Sequence, residues 1–139
     1  MKEIELIERR KVREKHFLQE DGTIIAKVYD NDVHFLKDGK YEEINNQLIK
    51  ENDYYVNKKN AYKVFFKENS KFDLMRMEKS SHYLDIKLKD EKETFLKKSK
   101  NFSKFMDYVK YEDILDNIDL EYKVLPSKVK ESIIMRKIR

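Results

Sequence analysis

The chain has 139 residues, of which 42% are charged and 40% hydrophobic, and its formal net charge is +4. Nine tyrosines and eight phenylalanines supply large apolar anchors, which excludes a disordered chain and predicts a single β-rich domain over residues 1–139. The absence of cysteine excludes disulfides and thiolate chemistry, and no apolar run reaches the ~20 residues of a membrane-spanning helix.

The N-terminal third predicts strands joined by polar turns. Alternation predicts a strand at residues 4–8, although residues 5–15 are also charged enough for a surface helix. Gly22 marks a turn before a strand at 23–28. Residues 33–36 and 41–44 flank Lys-Asp-Gly-Lys at 37–40, which is a hairpin signal. With only two glycines in the chain, the other turns must use Asn, Asp and Lys.

The remainder of the chain predicts further strands at residues 53–56, 61–66, 74–78, 83–88, 118–125 and 129–135. Strict alternation is clearest in the fifth, where Asp119, Glu121 and Lys123 are expected on the wet face of a half-buried strand. The predicted core consists of Val28, Phe35, Val64, Phe66, Leu84, Ile86, Leu120, Tyr122 and Val124. Short strands at this spacing predict an all-β, antiparallel, sandwich-like fold.

Residues 102–116 permit two interpretations. Phe102, Phe105, Met106 and Val109 follow the i, i+3, i+4, i+7 spacing of an amphipathic helix. The run Tyr108-Val109-Lys110-Tyr111 instead resembles a strand, so the pattern leaves open whether a short helix interrupts the sheets and makes the fold a β-rich α+β one.

No catalytic, metal or cofactor site is predicted from the sequence. His16, His34 and His82 form no pair with metal-ligand spacing, and the serines lie in no nucleophile elbow. The acidic stretch Glu112, Asp113, Asp116 and Asp119 fits no EF-hand loop, so a solvated turn is the favoured interpretation. We therefore expect a protein that is not an enzyme and needs no cofactor.

Basic residues cluster in three places and are the candidate anion- or partner-binding residues. These are Arg9, Arg10, Lys11 and Arg13 near the start, Lys97, Lys98 and Lys100 in the middle, and Arg136, Lys137 and Arg139 at the end. If they converge on one face they attract phosphate backbones or anionic polymers. Acids are interleaved throughout, however, and charges on exposed strand faces also prevent edge-to-edge aggregation.

Several segments in order carry a resemblance to a family of bacterial surface proteins. They are ELIERR at 5–10, DGT at 21–23, VHFLKDGKYEEINN at 33–46, YYVNKKNAYKVFF at 54–66, and residues 117–134. Taken together the set resembles the N-terminal region of clostridial and bacillar wall-associated proteins with RHS/YD repeats or DNRLRE domains. The resemblance implies a sandwich-like accessory segment ahead of larger domains, with no assigned catalytic residues.

The expected function is therefore a non-enzymatic binding or assembly module. Its partner is expected to be a wall polymer or the rest of a larger surface protein, at the cell surface or secreted. The alternative is a small inhibitor or adaptor that acts in the cytoplasm and binds a protein or nucleic-acid target through basic and aromatic residues. That alternative is favoured by the lack of a signal-peptide core at the N-terminus. The sequence predicts no oligomeric state.

Overall fold

A computed structural model of the chain describes residues 3–68, 73–87 and 101–136, and these form antiparallel β-sheets. The first strands are β1 Ile4–Glu5, β2 Glu14–Leu18, β3 Ile24–Val28, β4 His34–Lys37, β5 Lys40–Glu43, β6 Asn45–Glu51 and β7 Tyr54–Lys59. The others are β8 Lys63–Lys67, β9 Asp73–Lys79, β10 His82–Lys87, β11 Asn101–Phe105, β12 Tyr108–Leu115, β13 Ile118–Val124 and β14 Val129–Met135. Among the described residues, a 3-10 turn at Ile7–Arg9 is the only helical element. The predicted all-β fold is confirmed.

Two sheets contain the main core. The five-stranded sheet has the order β10-β9-β8-β7-β6, and the four-stranded sheet has the order β11-β12-β13-β14. Their inner faces meet at Phe66 and Tyr122, whose ring centroids lie 5.5 Å apart, and at Tyr55 and Phe102, which stack at 5.4 Å. Across the gap, the Tyr111 hydroxyl shares its one proton between two main-chain carbonyl oxygens of the five-stranded sheet, those of Lys67 at 2.7 Å and Leu74 at 3.1 Å. This sandwich-like packing buries the alternating apolar residues of both sheets.

Two-residue turns close the hairpins β4–β5, β6–β7, β9–β10, β11–β12 and β12–β13, and non-glycine residues provide most of their left-handed backbone. Positive φ angles occur at Asp38, Asn52, Ser80, Met106 and Asn117. Asn and Asp tolerate this conformation better than most residues, as the low glycine content predicts. The short turns fix the register of each hairpin, because two strands joined by two residues can pair in few ways.

A smaller assembly precedes the sandwich. The sheet β1-β2-β3 lies next to the hairpin β4-β5, and the Val12 carbonyl joins them by accepting from the N–H groups of Val33 and His34 at 2.9 and 3.1 Å. Phe35 is buried here, and the Lys63 ammonium from the sandwich lies 5.8 Å from its ring centroid. The predicted hairpin at 33–44 is confirmed with Asp38 and Gly39 as its turn.

Residues 102–116 form strands, so the helix interpretation is wrong. β11 and β12 pair around the two-residue turn Met106–Asp107. The apparent helical spacing of apolar residues arises because it spans two strands and their turn. β2 and β6 were not predicted, and the first predicted strand is shortened to Ile4–Glu5 by the 3-10 turn.

The core prediction is wrong at two positions. Val28 and Leu84 lie on edge strands and are 73% and 58% exposed. Ile86 is half-buried, whereas the other predicted core residues are buried. An edge strand shows the same alternation as a central one, so the pattern alone does not reveal whether a second sheet covers it. Within the described residues, no helix is long and apolar enough to cross a membrane.

Candidate functional site

Among the described strands of the sandwich, β14 at the edge of the four-stranded sheet carries the most exposed large apolar residues, namely Ile133, Ile134 and Met135. It pairs with β13 on one side and with no described strand on the other. Ile133 lies directly opposite the core residue Leu120, and Met135 lies opposite Ile118, so both point toward the inner face of the sheet. Ile133 is nevertheless 62% exposed and Met135 76% exposed. The inner face of this sheet therefore extends beyond the cover that the opposing sheet provides.

An ion-pair network anchors the end of β14. Asp119 was expected on the wet face, but only 3% of it is exposed. Its carboxylate accepts from the Arg136 guanidinium at 2.6 Å and from the backbone N–H of Asp113 at 2.9 Å. Asp113 has a positive φ and lies where the β12–β13 register shifts, and Arg136 also pairs with its carboxylate. The acids of this stretch thus bind a guanidinium and hold a β-bulge, and the prediction of a solvated turn is wrong for Asp119.

The predicted basic residues near the start are largely paired. Arg10 donates to both carboxylate oxygens of Glu5, Lys11 lies 3.6 Å from a Glu14 carboxylate oxygen, and Arg13 pairs with Asp32 at 2.9 Å. Among the described residues, Arg9 has no acidic partner within ion-pair distance and is exposed.

Of the candidate basic residues in the middle and at the end of the chain, only Arg136 is described. Arg136 is engaged by Asp119, and Lys97, Lys98, Lys100, Lys137 and Arg139 lie outside the described residues. In the part of the chain that the structure describes, the acidic partners of Arg136 are Glu112, Asp113 and Asp119, and no ion pair joins it to the first cluster. Anion binding by these residues stays a prediction.

A buried histidine and two glutamates meet at the centre of the N-terminal assembly. We call Glu5, His34 and Glu43 the Glu–His–Glu cluster; a ring nitrogen and one oxygen from each carboxylate all lie within 4.8 Å of one another. His34 and Glu43 face each other across the β4–β5 hairpin, and Glu5 comes from β1. Only 1% of His34 is exposed, and its Nδ1 lies 2.7 Å from the carbonyl oxygen of Lys11. Its Nε2 has no hydrogen-bond partner among the described residues.

Two cations hold the glutamates of this cluster in their charged form. The hydrogen bonds from the Arg10 guanidinium lower the pKa of Glu5, and burial only partly opposes this effect. A hydrogen bond from the Lys15 ammonium at 2.6 Å lowers the pKa of Glu43 in the same way. Both carboxylates are therefore available as anionic donors at neutral pH.

Two surface cavities are lined by polar and charged side chains. One, of about 380 Å³, is lined in part by Arg76 and Asp85, which form a bidentate ion pair. The other, of about 350 Å³, is lined in part by Asp32, His82 and Ser127. Within the described residues no hydrogen bond joins these three side chains, so the nucleophile–base contact of a triad is not formed there.

The sequence contained a signal for the pairing of His34 with Glu43, although no site was predicted there. Counting outward from the Asp38–Gly39 turn pairs residue 34 with residue 43, which places His34 beside Glu43. Nothing local signals Glu5, because β1 pairs with β2 and not with a strand of the hairpin. The exposure of Ile133 and Met135 likewise depends on how far the opposing sheet extends.

No protein-family model, curated protein or solved structure shows significant similarity to the chain.

Proposed function

We propose that the chain is a non-enzymatic binding or assembly module, and that β14 pairs with an extended apolar segment of a partner protein. The observation that carries the proposal is the exposed inner face at Ile133 and Met135, beside a strand with one unpaired edge in the described sheet. Edge strands of this kind bind partners by β-strand addition, in which main-chain hydrogen bonds supply affinity and alternate side chains supply specificity.

The distribution of charges along β14 leaves only its second half open to an apolar partner segment. Natural proteins protect exposed edges with lysine and other charges, and β14 carries Lys130 and Glu131 only in its first half. Its second half, Ser132–Met135, has no charged side chain. The Arg136 ion pair with Asp119 then fixes the end of the strand, so the backbone of the apolar half is held in place.

An apolar strand edge favours a protein segment over a wall polymer as the direct ligand. A carbohydrate or teichoic-acid-like polymer offers polar groups, and neither matches a row of isoleucine and methionine side chains. Together with the resemblance to the N-terminal region of wall-associated repeat proteins, this supports a role in joining parts of a larger surface protein. The basic residues that bear on a nucleic-acid partner are mostly paired where they are described.

The test is selection of displayed random decapeptides against the immobilised chain. We expect the selected peptides to alternate apolar and polar residues. The variant Ile133→Lys/Met135→Lys should weaken their binding at least tenfold, because charges are placed on the exposed apolar face. The matched control is Ile24→Lys/Val28→Lys on β3, which is also an apolar edge strand, and it should bind as the wild type does.

A second probe separates strand addition from simple apolar adhesion. N-methylation of alternate amides in a selected peptide should abolish binding for one methylation phase and not the other, because only one set of amides faces the β14 edge. Equal binding in both phases, or equal loss in the β3 and β14 variants, contradicts the proposal. Binding of purified wall polymer or mixed-sequence RNA that the β14 variant retains would favour those partners instead.

A further inference from the structure

The Glu–His–Glu cluster has the donor set and the open ring nitrogen of a metal centre. We propose that it binds one first-row divalent cation, with Zn²⁺ as the best match, through His34 Nε2 and one oxygen each from Glu5 and Glu43. This site is independent of the β14 edge, since its residues belong to β1, β4 and β5.

The histidine is already oriented as a ligand. Because Nδ1 lies 2.7 Å from the Lys11 carbonyl oxygen, which can only accept, Nδ1 is the donor, and in the neutral ring the lone pair is then on Nε2. Histidines that ligate metals usually donate their other ring N–H to a carbonyl or carboxylate, which fixes the tautomer. His34 is only 1% exposed, and its Nε2 has no hydrogen-bond partner among the described residues. Burying an unpaired polar atom costs free energy, and a bound cation would remove that cost.

The carboxylates can reach the same ion. A tetrahedral Zn²⁺ with bonds of ~2.0 Å needs its ligand atoms roughly 3.3 Å apart, so the two carboxylate oxygens and the His34 ring nitrogen, one atom from each residue within 4.8 Å of the others, must close by a modest rotation. The Glu43 side chain is 57% exposed, so it has room to rotate once its contacts with Lys15 and Arg10 loosen, and its exposed side leaves a position for water. An imidazole ligand disfavours Ca²⁺ and Mg²⁺, which prefer oxygen alone.

Two basic side chains compete with the ion, and this makes the proposal testable. The Lys15 ammonium lies 2.6 Å from a Glu43 oxygen, and Arg10 donates to both oxygens of Glu5. Each carboxylate oxygen has a second lone pair, so a cation can share these groups, but the positive charges weaken its binding. Removing Lys15 should therefore strengthen metal binding, whereas removing Glu43 should weaken it, although both changes break the same ion pair.

The experiment is calorimetric titration of the full chain with Zn²⁺ at about pH 7, with thermal unfolding measured in parallel. We expect one equivalent to bind and to raise the melting temperature, and Co²⁺ in its place to give the absorption bands of a low-coordinate site. Glu43→Gln should weaken binding at least tenfold, and Lys15→Gln should tighten it severalfold. Glu42→Gln is the matched control on the same strand and should leave binding unchanged.

His34→Asn tests the ring nitrogen directly. The asparagine amide can still donate to the Lys11 carbonyl, but it has no counterpart of Nε2, so metal binding should be lost while the metal-free melting temperature stays close to that of the wild type. If this variant does not fold, the opposite responses of Glu43→Gln and Lys15→Gln decide the question. Undiminished binding by a folded His34→Asn, weakening by Lys15→Gln, or no stoichiometric binding by the wild type overturns the proposal. Unchanged Zn²⁺ binding by the β14 variant is expected, so failure of either proposal can be told from failure of the other.

Discussion

Substitution of Arg136 by methionine should destabilise the fold much more than its position at the end of a strand suggests. The Asp119 side chain is 4% exposed and accepts from Arg136 at 2.6 Å. Removing one partner of a buried ion pair leaves the other charge uncompensated, at a typical cost of about 3–5 kcal/mol.

Two features of the structure make the expected loss of stability smaller than this typical cost. Asp119 retains the hydrogen bond from the Asp113 N–H and the Lys110 ammonium 3.9 Å away, and the Arg136 side chain is itself 34% exposed. We therefore expect Arg136→Met to lower the free energy of unfolding by about 2–3 kcal/mol, measured by urea denaturation followed by circular dichroism.

Two comparisons isolate the cause. Arg13→Met breaks an exposed pair with Asp32 of similar length, 2.9 Å, and should cost about 0.5 kcal/mol. In an Asp119→Asn background no buried charge is left behind, so Arg136→Met should cost less than about 1 kcal/mol there. The reasoning is refuted if Arg136→Met costs no more than Arg13→Met, or if its cost is the same in both backgrounds.

Two further predictions concern the core and the N-terminal assembly. Tyr111→Phe should lower the free energy of unfolding by about 1–2 kcal/mol, because the buried hydroxyl donates to carbonyls on both sides of the β8–β9 connection. Tyr108→Phe, at a less buried position on β12, is the control with the smaller expected loss; equal losses would contradict the cross-sheet role. The second prediction is a pH dependence. Because the pKa of Glu5 is lowered from 4.5 by Arg10, its ionised form stabilises the fold above that value, and the contribution is lost as pH falls through the lower folded-state pKa. Melting temperatures measured from about pH 3 to 7 should therefore show wild type and Glu5→Gln converging in acid and diverging near neutrality. A constant difference across that range would contradict this assignment.

Local chemistry determined much of the β architecture. Alternation predicted the strands that became β3, β8, β9, β10, β13 and β14, since a period of two depends only on the residues within one strand. The 33–44 hairpin followed from Asp38 and Gly39, because a tight turn fixes the pairing on both sides. β6 and β12 were harder to predict because register shifts, including the one beside Asp113, interrupt their alternation.

Only the tertiary structure decided which alternating faces are covered and which charges are buried. Asp119 has the sequence pattern of a wet-face residue, yet β12 and Arg136 enclose it. Ile133 has the pattern of a core residue, yet the opposing sheet does not cover it. Likewise Glu5 meets His34 through separate strands, at a distance along the chain that no local pattern records. Periodicity assigns a side chain to a face of its strand, whereas the burial of that face depends on sheet packing and therefore on contacts far apart in sequence.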